Sequence, residues 1–157
     1  MRIFSFMIFF SMFQWILNCA ISSPFQKSSK IAQYNLTPDS IVTVALTEVD
    51  IYGSYSDKST FWDRVSSVRS SLEENDGYLA SAIRKEIFGS RAWTMTIWKN
   101  DEALEQFIYS RAHERAMKDG APAVKNSKFY RSQRTWKELP MAWEVVEKLI
   151  YEEGRME

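Results

Sequence analysis

Between Trp93 and Met117 the periodicity of the chain changes from that of a strand to that of a helix within two residues. Trp93, Met95 and Ile97 alternate with Thr94, Thr96 and Trp98, as in a strand with two distinct faces. Asn100 and Asp101 break the pattern with side chains that cap free amides, and Asp101 and Glu102 favour the positive end of a helix dipole. Leu104, Phe107, Ile108 and Ala112 then recur at helical spacing. Tyr109, His113 and Met117 form a second row, each four residues from the last, and so share one flank. His113 is the single histidine of the chain.

The same alternation runs through the rest of the sequence. Ile41–Val49 is rich in β-branched residues and reads as a first strand. After a loop at Tyr52–Lys58, Ser59 or Thr60 can cap a helix from Phe61 to Glu74, with Phe61, Val65, Val68 and Leu72 as its apolar row. Asn75-Asp76-Gly77 supplies turn chemistry. Tyr78–Phe88 and Arg91–Lys99 read as a hairpin across Gly89–Ser90, and Lys128–Glu138 as a fourth strand. Pro140 suits the first position of a last helix, whose face is Val145, Val146, Leu149 and Ile150 and whose stop is Gly154.

The order is β-α-β-β-α-β plus one helix, which predicts an α+β, ferredoxin-like fold. Helices on one face of such a sheet leave the other face open. Trp93, Met95 and Ile97 would make that face apolar, and pairing two sheets across a twofold axis would cover it. A homodimer is therefore expected.

The motif Trp-x-x-x-x-Ala-Leu-x-x-Phe-x-Tyr, followed by His-x-x-Ala-Met, comprises Trp98, Ala103, Leu104, Phe107, Tyr109, His113, Ala116 and Met117. It resembles the dimeric α/β-barrel superfamily of antibiotic-biosynthesis-monooxygenase-like proteins, and within it the spheroidene-monooxygenase-like branch and adjacent uncharacterised families. A weaker match continues through Trp136, Leu139 and Pro140. The resemblance covers roughly residues 41–154 and implies a dimeric barrel. It implies much less about reaction, because the superfamily holds cofactor-free oxygenases, haem-dependent enzymes and members without known activity.

Composition narrows the alternatives. Twenty basic and twenty acidic residues leave no net charge, which argues against nucleic acid as the main partner. One cysteine excludes an intrachain disulfide, and no Cys/His cluster has zinc spacing. Phosphate-binding glycine loops, dinucleotide fingerprints and nucleophile elbows are absent from the sequence.

The N-terminus reads as a separate unit. Ile3–Ile21 carries no charge and follows Arg2, the layout of a secretory signal, with Ala20 and Ser22 placing cleavage after Ser22. A membrane anchor is a second reading, since about 20 apolar residues span a bilayer. Cys19 offers a third, because a cysteine closing such a run is where bacterial lipoproteins are lipidated; Asn18 departs from the small residue usual before it. Residues 1–22 are thus a signal peptide, lipoprotein signal or membrane anchor. Residues 23–40, Ser-rich and aperiodic, read as a flexible tether, and residues 41–154 as the barrel domain.

His113 is the leading site candidate. It could act as a general base near neutral pH, hold haem iron as a proximal ligand, or simply pack beside Tyr109 with a local hydrogen bond. Tyr109 could orient an aromatic substrate or steady a ligated imidazole. Arg111 and Arg115 could hold the carboxylates of a ligand, haem propionates included, or pair with Glu105, Glu114 and Asp119. Trp98 and Phe107 read as packing residues. Glu48 is the best acidic candidate, with nothing in the sequence to bring it to His113. Arg84, Lys85, Glu86, Arg131 and Arg134 could line a polar pocket or form an exposed face.

The expectation is an exported or membrane-tethered protein that oxygenates a hydrophobic aromatic or polyene small molecule, either without cofactor or with haem. A non-catalytic ligand-binding or structural envelope protein on the same fold is the competing reading.

Overall fold

The computed structural model describes residues 19–156. Two short strands, β1 (Ala20–Ser22) and β2 (Gln26–Lys27), precede the long strand β3 (Ile41–Ile51). Helix α1 (Tyr55–Ser71) leads into the hairpin of β4 (Tyr78–Glu86) and β5 (Arg91–Trp98). Helices α2 (Asp101–Ile108) and α3 (Arg111–Gly120) follow, then β6 (Val124–Thr135), α4 (Trp143–Glu153) and β7 (Arg155–Met156). All pairings are antiparallel, and the sheet order is β1-β4-β5-β3-β6-β7, with β2 also on β4. The four long strands, β4-β5-β3-β6, have the ferredoxin-like order, with the first and third in the centre.

Central strands must bury both faces, and β3 does. Val42, Val44 and Leu46 point to one side, while Thr43 and Ala45 point to the other. The second side meets the helices: Ala103, Leu104 and Phe107 of α2 close over Trp98, Tyr78 and Leu72. Below them, Phe61 and Trp62 of α1 pack on Ile51, Ala92 and Ala123. An Arg64–Asp119 ion pair of 2.8 Å joins α1 to α3.

The first side is the one expected to need a second copy. Here the chain covers it alone. Val146 and Ile150 of α4, both 0% exposed, sit on Val44, Leu46, Trp93, Met95 and Ile97. Each such burial stabilises the fold by roughly 2 kcal/mol. Phe25, Tyr34, Leu36, Trp136 and Trp143 fill the margins. The apolar sheet face therefore supplies no reason for dimerisation.

Several boundaries differ from the sequence reading, each for a local reason. Helix α1 starts at Tyr55 because Ser54 and Asp57 form a reciprocal capping box, which a search for caps beside Phe61 overlooks. The single helix expected through Met117 breaks at Tyr109–Ser110, where Ser110 Oγ accepts from His113 N–H at 3.3 Å and starts α3. Strand β6 begins at Val124, and Pro140 lies in the loop before α4, which starts at Trp143. Gly77 adopts φ +82°, and a Cβ there would stand 2.5 Å from Ala103 Cβ, so the turn before β4 requires glycine.

The first part of the stretch read as a flexible tether, residues 23–28, lies along β4 instead. Ser23 N–H and Ser28 N–H donate to Ile83 and Leu79 carbonyls at 2.8 Å. Glu73 accepts from Ser28 Oγ (2.9 Å), Ser29 Oγ (3.0 Å) and Ser29 N–H (3.2 Å). Burial raises the Glu73 carboxyl, but these donors outweigh it and hold it below the ordinary value. Two of the serines that suggested a polar spacer, Ser28 and Ser29, thus hydrogen-bond one carboxylate. Most of the apolar run Ile3–Ile21, with the signal and anchor readings placed on it, lies outside the described residues. Among the described residues no helix is long and apolar enough to cross a membrane.

Candidate functional site

His113 stands at the third position of α3, where the Ser110 cap fixes its backbone. Its Nδ1 lies 3.0 Å from the Ile108 carbonyl. A carbonyl can only accept, so Nδ1 carries the proton and Nε2 presents a lone pair in the neutral ring. Burial lowers the imidazole pKa, against the raising effects of the Ile108 hydrogen bond and Glu114. The fold therefore holds His113 neutral, in one tautomer, with no hydrogen-bond partner for Nε2 among the described residues. That is the state needed by a general base or by an imidazole ligand.

Behind the imidazole runs a row of rings. His113 lies 4.9 Å from Phe107, Phe107 stacks at 4.8 Å on Trp98, and Trp98 meets Tyr78 edge-on at 5.6 Å. Trp98 Nε1 donates to Thr96 Oγ1 at 2.9 Å and Tyr78 OH shares a 2.7 Å bond with Ser81 Oγ, so the polar tips of the row are satisfied. Trp98 and Phe107 are core, as their spacing suggests.

The other candidates do not converge on the imidazole. The break before Ser110 takes Tyr109 off the His113 row, and its side chain is 72% exposed. Met117 is 50% exposed, and Arg111 and Arg115 are exposed. Neither arginine forms an ion pair among the described residues; Glu105 pairs with Arg131 at 2.6 Å and Asp119 with Arg64. Glu48 lies on the opposite face of the sheet, where it accepts from Trp93 Nε1 at 2.7 Å. Arg84 reaches Glu147 of α4 at 3.4 Å and Arg131 reaches Glu105 of α2, so these two arginines serve as struts to helices, while Glu86 pairs with Arg91 across the hairpin. Cys19 is exposed and free.

A feature that sequence reasoning missed is an open hollow of about 270 Å³ lined by Glu48, Asp50, Arg91, Asn126, Lys128 and Met156. It forms where the ends of β3, β5 and β6 meet β7, and only the strand register brings these residues together. Its groups largely engage one another or their neighbours: Arg91 grips Glu86 at 2.6 Å, and Ser90 Oγ donates to Asp50. Among the described residues no group of three or more His, Cys, Asp or Glu side chains could hold a metal ion.

No family profile matches the sequence, and no curated protein matches it. Solved structures do match the fold. A candidate monooxygenase from Lactobacillus acidophilus aligns at TM-score 0.53 and 14% identity over 71% of this chain and 50% of its own. A candidate monooxygenase from Fusobacterium nucleatum aligns at TM-score 0.54 and 11% identity over 74% of this chain and 51% of its own. A conserved protein from Methanosarcina mazei aligns at TM-score 0.52 and 10% identity over 62% of this chain and 95% of its own. The chain thus spans about half the length of the first two. The likeness shows a shared fold, the ferredoxin-like one that the order of strands and helices leads one to expect.

Proposed function

We propose that this chain is a monooxygenase-like protein that acts on a hydrophobic aromatic or polyene small molecule, attached to or exported across a membrane by its N-terminus. The observation that carries the chemical part is His113, neutral and with Nε2 unpartnered at the end of an aromatic row. In a cofactor-free reaction Nε2 takes a proton from an acidic CH₂ group of the substrate. The carbanion gives its electrons to O₂ and forms a carbon–oxygen bond. Loss of water then leaves a carbonyl, with one oxygen atom in the product and one in water. The rings beside His113 would exclude solvent from the carbanion.

Haem fits the imidazole in one respect, because a metal-bound histidine ordinarily donates its other N–H to a carbonyl, as Nδ1 does to Ile108. His113 Nε2 would hold the iron, with Arg111 or Arg115 for the propionates. A bound haem would supply an oxidising iron. Tyr109, 72% exposed, gives no help in fixing the ring.

The second reading, a binding protein without turnover, is favoured by the absence of any carboxylate hydrogen-bonded to His113 among the described residues. Two measurements separate the readings: oxygen uptake with aromatic or polyene substrates that carry an acidic CH₂ group, and an absorption titration with haem. Uptake or a Soret shift that His113→Ala removes supports the enzyme. Tight ligand binding with no oxygen consumed, in the wild type and the variant alike, supports the binding protein.

A further inference from the structure

One end of the sheet exposes an unusual set of side chains. There β3 ends at Ile51, β4 turns into β5 through residues 87–90, and β6 begins at Val124. Ile51 N–H donates to the Ser90 carbonyl at 2.8 Å, and Tyr52 N–H to the Ala123 carbonyl at 2.7 Å, so these ends are tied together. Phe88 at the hairpin tip is 70% exposed, Ile87 45%, Tyr52 67% and Tyr55 91%. Ile21, 51% exposed, lies on β1 beside them, opposite Lys85. At the opposite end the long strands expose a single large apolar residue, Ile41.

Water gains nothing from this arrangement, and it surrounds the place where an uncharged stretch joins the fold. Residues 3–18 carry no charged side chain. They connect through Cys19, whose carbonyl accepts from Ile87 N–H at 2.9 Å. No spacer intervenes between that stretch and the hairpin, because the residues after Cys19 are already paired with β4. Phenylalanine and isoleucine on a short hairpin tip form a wedge suited to acyl chains, and tyrosines suit the headgroup layer, where an apolar ring and a polar hydroxyl are both satisfied. Lys58 and Lys125 are exposed at this end without ion pairs among the described residues, where they can meet acidic headgroups; Glu86 is neutralised by Arg91, while Asp50 and Asp57 keep their charge.

We propose that this end of the sheet is a bilayer-contact surface, with Phe88 and Ile87 inserted among lipid chains and Tyr52 and Tyr55 at the headgroups. The inference rests on the membrane attachment proposed above, and adds which surface faces the lipid. It takes the apolar run itself as the anchor, which fixes the chain at this corner of the sheet with or without a lipid on Cys19.

The test uses the full chain with Cys19→Ser, synthesised in the presence of vesicles of phosphatidylcholine and phosphatidylglycerol. A polarity-sensitive fluorophore is attached at Phe88→Cys or, as the control from the far end, at Lys137→Cys. Flotation reports attachment, quenching by nitroxide-labelled lipid reports contact, and tryptophan emission checks folding. The expected result is flotation of both, with most emission lost at position 88 and none at position 137. Flotation with no quenching at 88, or equal quenching at both, overturns the contact surface while attachment stands. A chain that folds but does not float removes the attachment and the surface with it.

Discussion

His113 packs as part of an aromatic row, and under the proposed function it also carries the chemistry. Its ring closes an aromatic row and its Nδ1 satisfies the Ile108 carbonyl, so part of its value is structural. If that part dominates, His113→Ala should destabilise the fold by roughly 1–3 kcal/mol, and His113→Gln should recover some of it. A variant that loses oxygen uptake or haem binding while unfolding at wild-type denaturant would instead identify chemistry. The pH dependence has a definite sign. The folded pKa lies below the ordinary value of 6.5, so the unfolded chain binds the proton more readily. His113 therefore adds stability above that value, and this is lost as pH falls through the folded pKa. Denaturant titrations at pH 7 and at mildly acidic pH should show a drop that His113→Gln lacks. The sequence placed His113 correctly on a helix flank. It did not reveal that Ser110 would restart the helix, because a serine among apolar and charged helix formers reads equally well as an interior residue.

Elements obey their own logic, and here the last helix decides more than its length suggests. The pattern Val145, Val146, Leu149 and Ile150 was legible as an apolar face, but its target was not, since period alone never says which surface a helix meets. Helix α4 lies where a second sheet was expected. A chain beginning at Cys19 should therefore sediment as a monomer at micromolar concentration. Ending the same chain at Ala142 should uncover Val44, Leu46, Met95 and Ile97 and cause self-association, seen as a rise in mass by light scattering. The N-terminal segment makes a parallel case. Glu73→Ala removes the acceptor for Ser28 and Ser29, and should speed tryptic cleavage at Lys27 and Lys30 without changing global unfolding. Acid should act likewise, as Glu73 protonates below the ordinary value of 4.5.

At the scale of the whole molecule, the order of the four long strands was readable because each carried its period and the turns their Gly, Asn or Asp, whereas the one helix expected from Asp101 to Met117 is two. What escaped was everything set by register: the hollow around Glu48 and Arg91, the separation of Glu48 from His113 by the sheet itself, and the docking of residues 20–29 on β4. That docking bears on processing. Cleavage after Ser22 would remove β1 and its pairs with Glu86, Lys85 and Arg84, so a chain beginning at Ser23 should exchange the Ile87 amide faster than one beginning at Cys19. The same strand has a mechanical meaning. An anchor on the N-terminal side would pull along β1, parallel to β4, and load its bonds in shear. Force would be shared among them rather than opening them one by one. The edge of β4 would then transmit tension from the membrane straight into the centre of the sheet, leaving no slack to absorb it.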